Sequence, residues 1–125
     1  MLLGGAGVVG DAVAAAVAAY ASSGSVTRLA GADRYATAAA ISAAGWGAGE
    51  PDSAYLATGL GFADAMSAAP LAGKTSSPLL LTAPTRLSAP TAAELDRLAP
   101  PNVVILGGVG ALSDQIRIDI LSLDP

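Results

Sequence analysis

The 125-residue chain contains no cysteine and no histidine. Without cysteine there is no disulfide framework, no thiolate-ligated zinc and no thiol nucleophile. Without histidine there is no Ser–His–Asp hydrolysis and no imidazole metal site. Charged residues make up only 13% and aromatics 4%. The six cations, Arg28, Arg34, Lys74, Arg86, Arg97 and Arg117, are scattered among ten acids for a net charge of −4. No basic cluster is available to neutralise phosphates, so nucleic acid is not an expected partner. No apolar run approaches the ~18 residues of a membrane span. What the chain has in quantity is small and apolar: 53% hydrophobic residues, with 30 alanines and 15 glycines. That composition argues against disorder and for one compact domain built on close helix–sheet contacts.

Met1 to Ala21 is apolar and ends in Ala19-Tyr20-Ala21, a small-x-small pattern. Yet no basic residue precedes it and Asp11 interrupts it, so a signal peptide is not expected. An internal repeat argues the same way. Leu3-Gly4-Gly5-Ala6-Gly7-Val8-Val9-Gly10-Asp11 recurs 103 residues later as Leu106-Gly107-Gly108-Val109-Gly110-Ala111-Leu112-Ser113-Asp114. In this register Val13 and Val17 fall opposite Ile116 and Ile120. Both copies read as a strand end, a glycine turn and a helix start with an acid in the first turn. Residues 1–23 are therefore expected to be the tail of a preceding repeat, or an edge strand plus helix completing the sheet. Residues 24–125 are expected to form one complete unit. Such a tail could also complete a neighbouring chain's sheet.

Short apolar runs at Met1–Leu3, Val26–Leu29, Ala54–Ala57, Pro78–Leu81 and Val103–Leu106 predict strands covered on both faces. They alternate with helical patterns at Asp11–Ser22, Arg34–Ala44, Ala63–Ala72, Thr91–Ala99 and Asp114–Leu121. Asp33 is the expected cap of the second helix, Thr91 with Glu94 reads as a capping box, and Ser113 as the cap of the last helix. Gly24, Gly45 and Gly73 are expected to close the first three helices, and Pro70 to kink or shorten the third. Residues 45–52, around Trp46, and 83–90 read as surface loops. The alternation predicts a Rossmann-like α/β module of three layers around a mostly parallel sheet.

Candidate chemistry lies at the strand–helix junctions, where such folds place ligands. Gly5-x-Gly7-x-x-Gly10 matches a dinucleotide fingerprint, but the second copy has Ser113 in place of the third glycine. A tight structural turn is the better reading, and no cofactor is expected. In the second junction Arg28 and Arg34 could hold an anion at a helix N-terminus, with Asp33 and Thr37 beside them. In the third, Thr58, Gly59, Phe62 and Asp64 precede or open a helix. Asp64 would be the leading nucleophile of an enzyme, but no second convergent carboxylate is evident besides Asp33.

The series of motifs resembles the cell wall binding repeat 2 family. Val26 to Ala38 is similar to the opening of such a unit, and Ala57-Thr58-Gly59 with Phe62-Ala63-Asp64-Ala65 to its central motif, with Met66 where leucine is usual. Ala69-Pro70-Leu71-Ala72 and Pro78-Leu79-Leu80-Leu81-Thr82 are similar to its proline and aliphatic signature. Val104 to Ser113, including Gly107 and Gly108, resembles its closing glycine motif. The resemblance implies a non-catalytic module of secreted Gram-positive surface proteins, located at the cell wall. It implies attachment to an anionic wall polysaccharide by units that usually occur in threes, so that neighbouring repeats or a homotrimer are expected partners. The expected ligand residues are Arg28, Asp33, Arg34, Thr37, Thr58, Gly59, Phe62, Asp64, Gly107 and Gly108, with no metal. The competing readings are a self-associating structural unit without glycan binding, a wall-glycan hydrolase and a dinucleotide enzyme.

Overall fold

A computed structural model describes residues 1–123. Five strands alternate with five helices: β1 Leu2–Leu3, α1 Asp11–Ala18, β2 Arg28–Leu29, α2 Arg34–Gly45, β3 Ser53–Thr58, α3 Ala63–Lys74, β4 Leu79–Thr82, α4 Ala89–Leu98, β5 Asn102–Ile105 and α5 Asp114–Leu121. Every strand pairing is parallel, as the alternation predicts. The strands divide into two ladders: β1 pairs with β2, and β3 lies between β4 and β5.

The core follows from strand β3. Its residues Ala54 to Thr58 are all buried, which is why they form an unbroken apolar run. Ala54 and Leu56 join Leu80, Leu95, Leu98, Leu112 and Ile116 in one cluster, flanked by Trp46, Leu87 and Ile120. Tyr55 and Ala57 alternate to the other face. There α3 packs on β3, and Thr75 just beyond the helix donates to the Tyr55 hydroxyl at 3.4 Å. Helix α2 lies on β4 and α4 and buries Ala38 and Ser42, one turn apart. Small residues at that spacing allow the close approach.

Several local expectations are corrected. Helix α1 ends at Ala18, and Gly24 sits beyond it in a separate turn with φ +65°. Gly73 lies inside α3, which is closed by Thr75. Pro70 also lies inside that helix, which runs on to Lys74. Pro70 is exposed, as is Met66, whose carbonyl loses the amide partner that Pro70 cannot supply. Thr91 and Glu94 do not form a capping box, because α4 begins at Ala89 with Ser88 as its cap and Pro90 in the first turn. Thr91 is therefore the third residue of the helix, and its hydroxyl donates to the Leu81 carbonyl of β4. Buried Glu94 accepts two hydrogen bonds from Arg97, at 2.8 and 2.7 Å. Ser113 occupies the cap position of α5, but its buried hydroxyl makes no cap bond. Trp46 is half-buried against the core instead of standing in a solvent loop, and its indole donates to the Ser76 carbonyl at 2.7 Å.

Candidate functional site

The carboxyl ends of β2, β3 and β4 open onto two adjoining cavities. The larger, about 650 Å³, runs from the glycine turn after β1 (Gly4, Gly5, Gly7) along Asp33, Arg34 and Thr37 to Leu81. The smaller, about 250 Å³, is bounded by Arg34, Thr58, Gly59, Phe62, Met66 and Leu81. Arg34 and Leu81 belong to both walls. The arginine thus stands at the boundary between the two spaces.

Local folding explains how each polar group is held. Asp33 caps α2, accepting from the Ala36 amide at 2.8 Å. Thr37 Oγ1 accepts from the Gly31 amide at 3.0 Å, which closes the junction before the helix. A Cβ on Gly31 would fall 2.3 Å from the Ala36 Cβ, so only glycine fits beneath this turn. Arg34 reaches back across the cleft and donates from Nη1 to the Gly59 carbonyl at 2.5 Å. A Cβ on Gly59 would lie 2.4 Å from the Tyr35 ring and 3.1 Å from Arg34 Cδ. The absence of a side chain at residue 59 is therefore what lets the second and third junctions meet. Thr58 is buried and accepts from the Leu60 amide at 3.3 Å. Phe62 is 76% exposed at the mouth, next to exposed Leu60 and Met66.

Of the residues expected to bind ligand, Asp33, Arg34, Thr37, Thr58, Gly59 and Phe62 line these cavities. The others do not. Arg28 points to the first glycine turn, donating to the Gly4 carbonyl at 2.6 Å and pairing with Asp11 at 3.3 Å. Asp64 opens α3 and lies against Gly107, while Gly108 is exposed on the following turn. Sequence reasoning missed Leu81, because nothing marks a strand residue as the floor shared by two pockets. It also missed Tyr35, whose ring against Gly59 is a contact across 24 residues.

The order of these junctions has a counterpart in known proteins. Residues 28–117 match the family model for cell wall binding domain 2 (CWB2). The chain belongs to the CWB2 family. This CWB2 module is 39% identical over 99 residues to the N-acetylmuramoyl-L-alanine amidase LytC of Bacillus subtilis (strain 168), covering 79% of the chain and 20% of that relative. It is 35% identical over 90 residues to the amidase enhancer of the same organism, covering 72% of the chain and 12% of the relative. Among solved structures it resembles Cwp6 from Clostridium difficile, with a TM-score of 0.70 and 37% identity over 76% of the chain and 15% of Cwp6. Its fold also matches Cwp8 from Clostridium difficile, with a TM-score of 0.81 and 24% identity over 98% of the chain and 19% of Cwp8. The CWB2 module thus spans about a fifth or less of each of these proteins. The family supports a cell-wall-binding role.

Proposed function

We propose that this module is a non-catalytic anchor that holds a surface protein to an anionic polymer of the Gram-positive wall. The observation that carries the reading is Arg34, shared by the two cavities and already oriented by the Gly59 carbonyl. A guanidinium fixed through one nitrogen keeps further N–H groups for a carboxylate or phosphate and loses little entropy on binding. Thr37, Thr58 and the cap carboxylate of Asp33 add polar atoms suited to sugar hydroxyls, and exposed Phe62 offers an apolar face for a ring. The acids support binding over hydrolysis. Asp33 is committed to capping α2, and Asp64 lies outside both cavities. A glycosidase needs two carboxylates facing one bond.

Co-sedimentation of Arg34→Ala with purified Gram-positive walls tests the reading. Retention is expected to fall about tenfold, the scale of one charge-assisted hydrogen bond. Retention equal to that of the unsubstituted chain, with the fold intact by circular dichroism, would remove Arg34 from the site.

A further inference from the structure

A separate pocket of about 230 Å³ lies between α2 and α3. Its walls include Ile41, Ser42 and Trp46 at the end of α2, Ala72 and Gly73 at the end of α3, and Leu79 at the start of β4. The cleft takes the beginnings of the same two helices; Ser42 lies eight residues, about 12 Å, along α2 from Arg34. Ile41 is the one residue this pocket shares with the larger cavity of the cleft, and it shares none with the smaller.

Three observations give the pocket a chemistry. Ser42 is 1% exposed, and its hydroxyl has no hydrogen-bond partner. A helical serine commonly bonds back to the carbonyl four residues earlier, and this one does not. The second observation is the edge of β4. The Tyr55 amide bonds to the Pro78 carbonyl and the Gly59 amide to the Thr82 carbonyl, so Leu80 and Thr82 turn their backbone groups to β3. The Leu79 amide and carbonyl point the other way, without a partner among the described residues. The third is the aromatic wall. Trp46 is half-buried, and its indole N–H is committed to the Ser76 carbonyl, so the ring supplies fixed apolar surface and no free donor. Among the described residues no charged side chain lines the space.

We infer that this pocket binds the acetamido group of an N-acetylated amino sugar, as a neutral second site beside the anion cleft. An acetamido group carries one acceptor, one donor and a methyl. The Ser42 hydroxyl can donate to its carbonyl, the Leu79 carbonyl can accept from its N–H, and the methyl suits the apolar wall of Ile41 and Ala72. A plain hexose would leave most of its hydroxyls unpaired against the same walls, which disfavours it. The volume is below the roughly 300 Å³ at which drug-sized sites begin, so the pocket takes one ring or its side group and not a run of polymer. The wall-anchoring role identifies the source of the sugar as the wall glycan; the pocket chemistry stands apart from it.

Trp46 is the chain's single tryptophan, so its fluorescence reports on this pocket. Titrating the unsubstituted chain with N-acetylglucosamine is expected to give a saturable emission shift at millimolar sugar, and glucose none. Ser42→Ala should weaken binding about tenfold, the scale of one hydrogen bond, and should not lower stability, because the hydroxyl has no bond to lose. Gly73→Leu should block binding while keeping the fold, since a Cβ there meets nothing within 4 Å. Arg34→Ala should leave the titration unchanged, which separates this result from the wall-retention test. The inference is overturned by no saturable shift with N-acetylglucosamine, by an equal shift with glucose, or by N-methylacetamide binding as tightly as the sugar, which would make this an amide site alone. A sugar titration unmoved by both Ser42→Ala and Gly73→Leu overturns it as well.

Discussion

The carboxylate of Asp64 occupies the space that a side chain at residue 107 would need. A Cβ on Gly107 would lie 2.6 Å from Asp64 Oδ2 and 3.0 Å from the Ala111 Cβ, and the residue's φ of +91° disfavours any side chain. The central motif and the closing glycine motif are thereby packed against each other across 43 residues of sequence. Asp64 serves this contact at the start of α3, where its charge also meets the favourable end of the helix dipole.

Gly107→Ala is accordingly expected to cost about 1–3 kcal/mol through the strained backbone and the overlap together. In urea unfolding, the double variant with Asp64→Ala should recover part of that loss. Strictly additive losses would show that the two residues do not interact.

The glycines at the cleft should respond in a graded way. Gly31→Ala meets the Ala36 Cβ at 2.3 Å and the Ala36 backbone carbon at 2.5 Å, neither of which can swing aside. It is expected to cost about 3 kcal/mol. Gly59→Ala meets chiefly the Tyr35 ring, which can shift, and should cost about 1–2 kcal/mol. Gly108→Ala meets nothing within 4 Å and should stay within about 0.5 kcal/mol of the unsubstituted chain. Thermal or urea unfolding ranks the three, and a Gly108→Ala loss as large as that of Gly31→Ala would contradict the packing account.

Core and cleft should separate by assay. Leu80→Ala empties a fully buried position and should cost about 2–5 kcal/mol. Phe62→Ala changes an exposed ring, so stability should hold within about 0.5 kcal/mol while wall retention falls. A large loss of stability in Phe62→Ala would make that residue structural.

One carboxylate gives the fold a pH signature. Asp119 accepts from Gln115 Nε2 at 2.9 Å and from the Leu87 amide at 2.8 Å, tying α5 to the loop before α4. These bonds, the Gln115 one foremost, and then the nearby Arg86 charge hold its carboxyl below the usual carboxylate range. A group lowered on folding stabilises the native state above its unfolded value, about 3.9, and the contribution fades as pH drops through the folded value. The stability gap between the unsubstituted chain and Asp119→Asn should be constant above about pH 5 and should narrow on acidification below about pH 4. Urea midpoints across that range measure it; a gap that does not change contradicts the assignment.

Much of the fold is legible where one physical signal dominates. Helix α5 runs over Asp114–Leu121 as expected, and the Asp33 cap is made as the residue type suggests. The failures come where tertiary partners outbid local preference. Thr91 resembles a cap in sequence, but its hydroxyl is taken by β4. Pro70 does not end α3, which runs on to Lys74 with Pro70 on its exposed face. Of the junction residues singled out in the sequence, Asp33, Arg34, Thr37 and Thr58 line the cavities, whereas Arg28 and Asp64 are engaged elsewhere. Each depends on a glycine turn from another part of the chain, and no spacing rule encodes that proximity.

The central claim is attachment through an anionic wall polymer. It is tested most directly by co-sedimenting the chain with purified Gram-positive walls before and after acid extraction of their anionic polymers, across a salt series. The account predicts retention on intact walls that weakens with salt and disappears once the polymers are extracted. Equal retention on stripped walls, insensitive to salt, would contradict it.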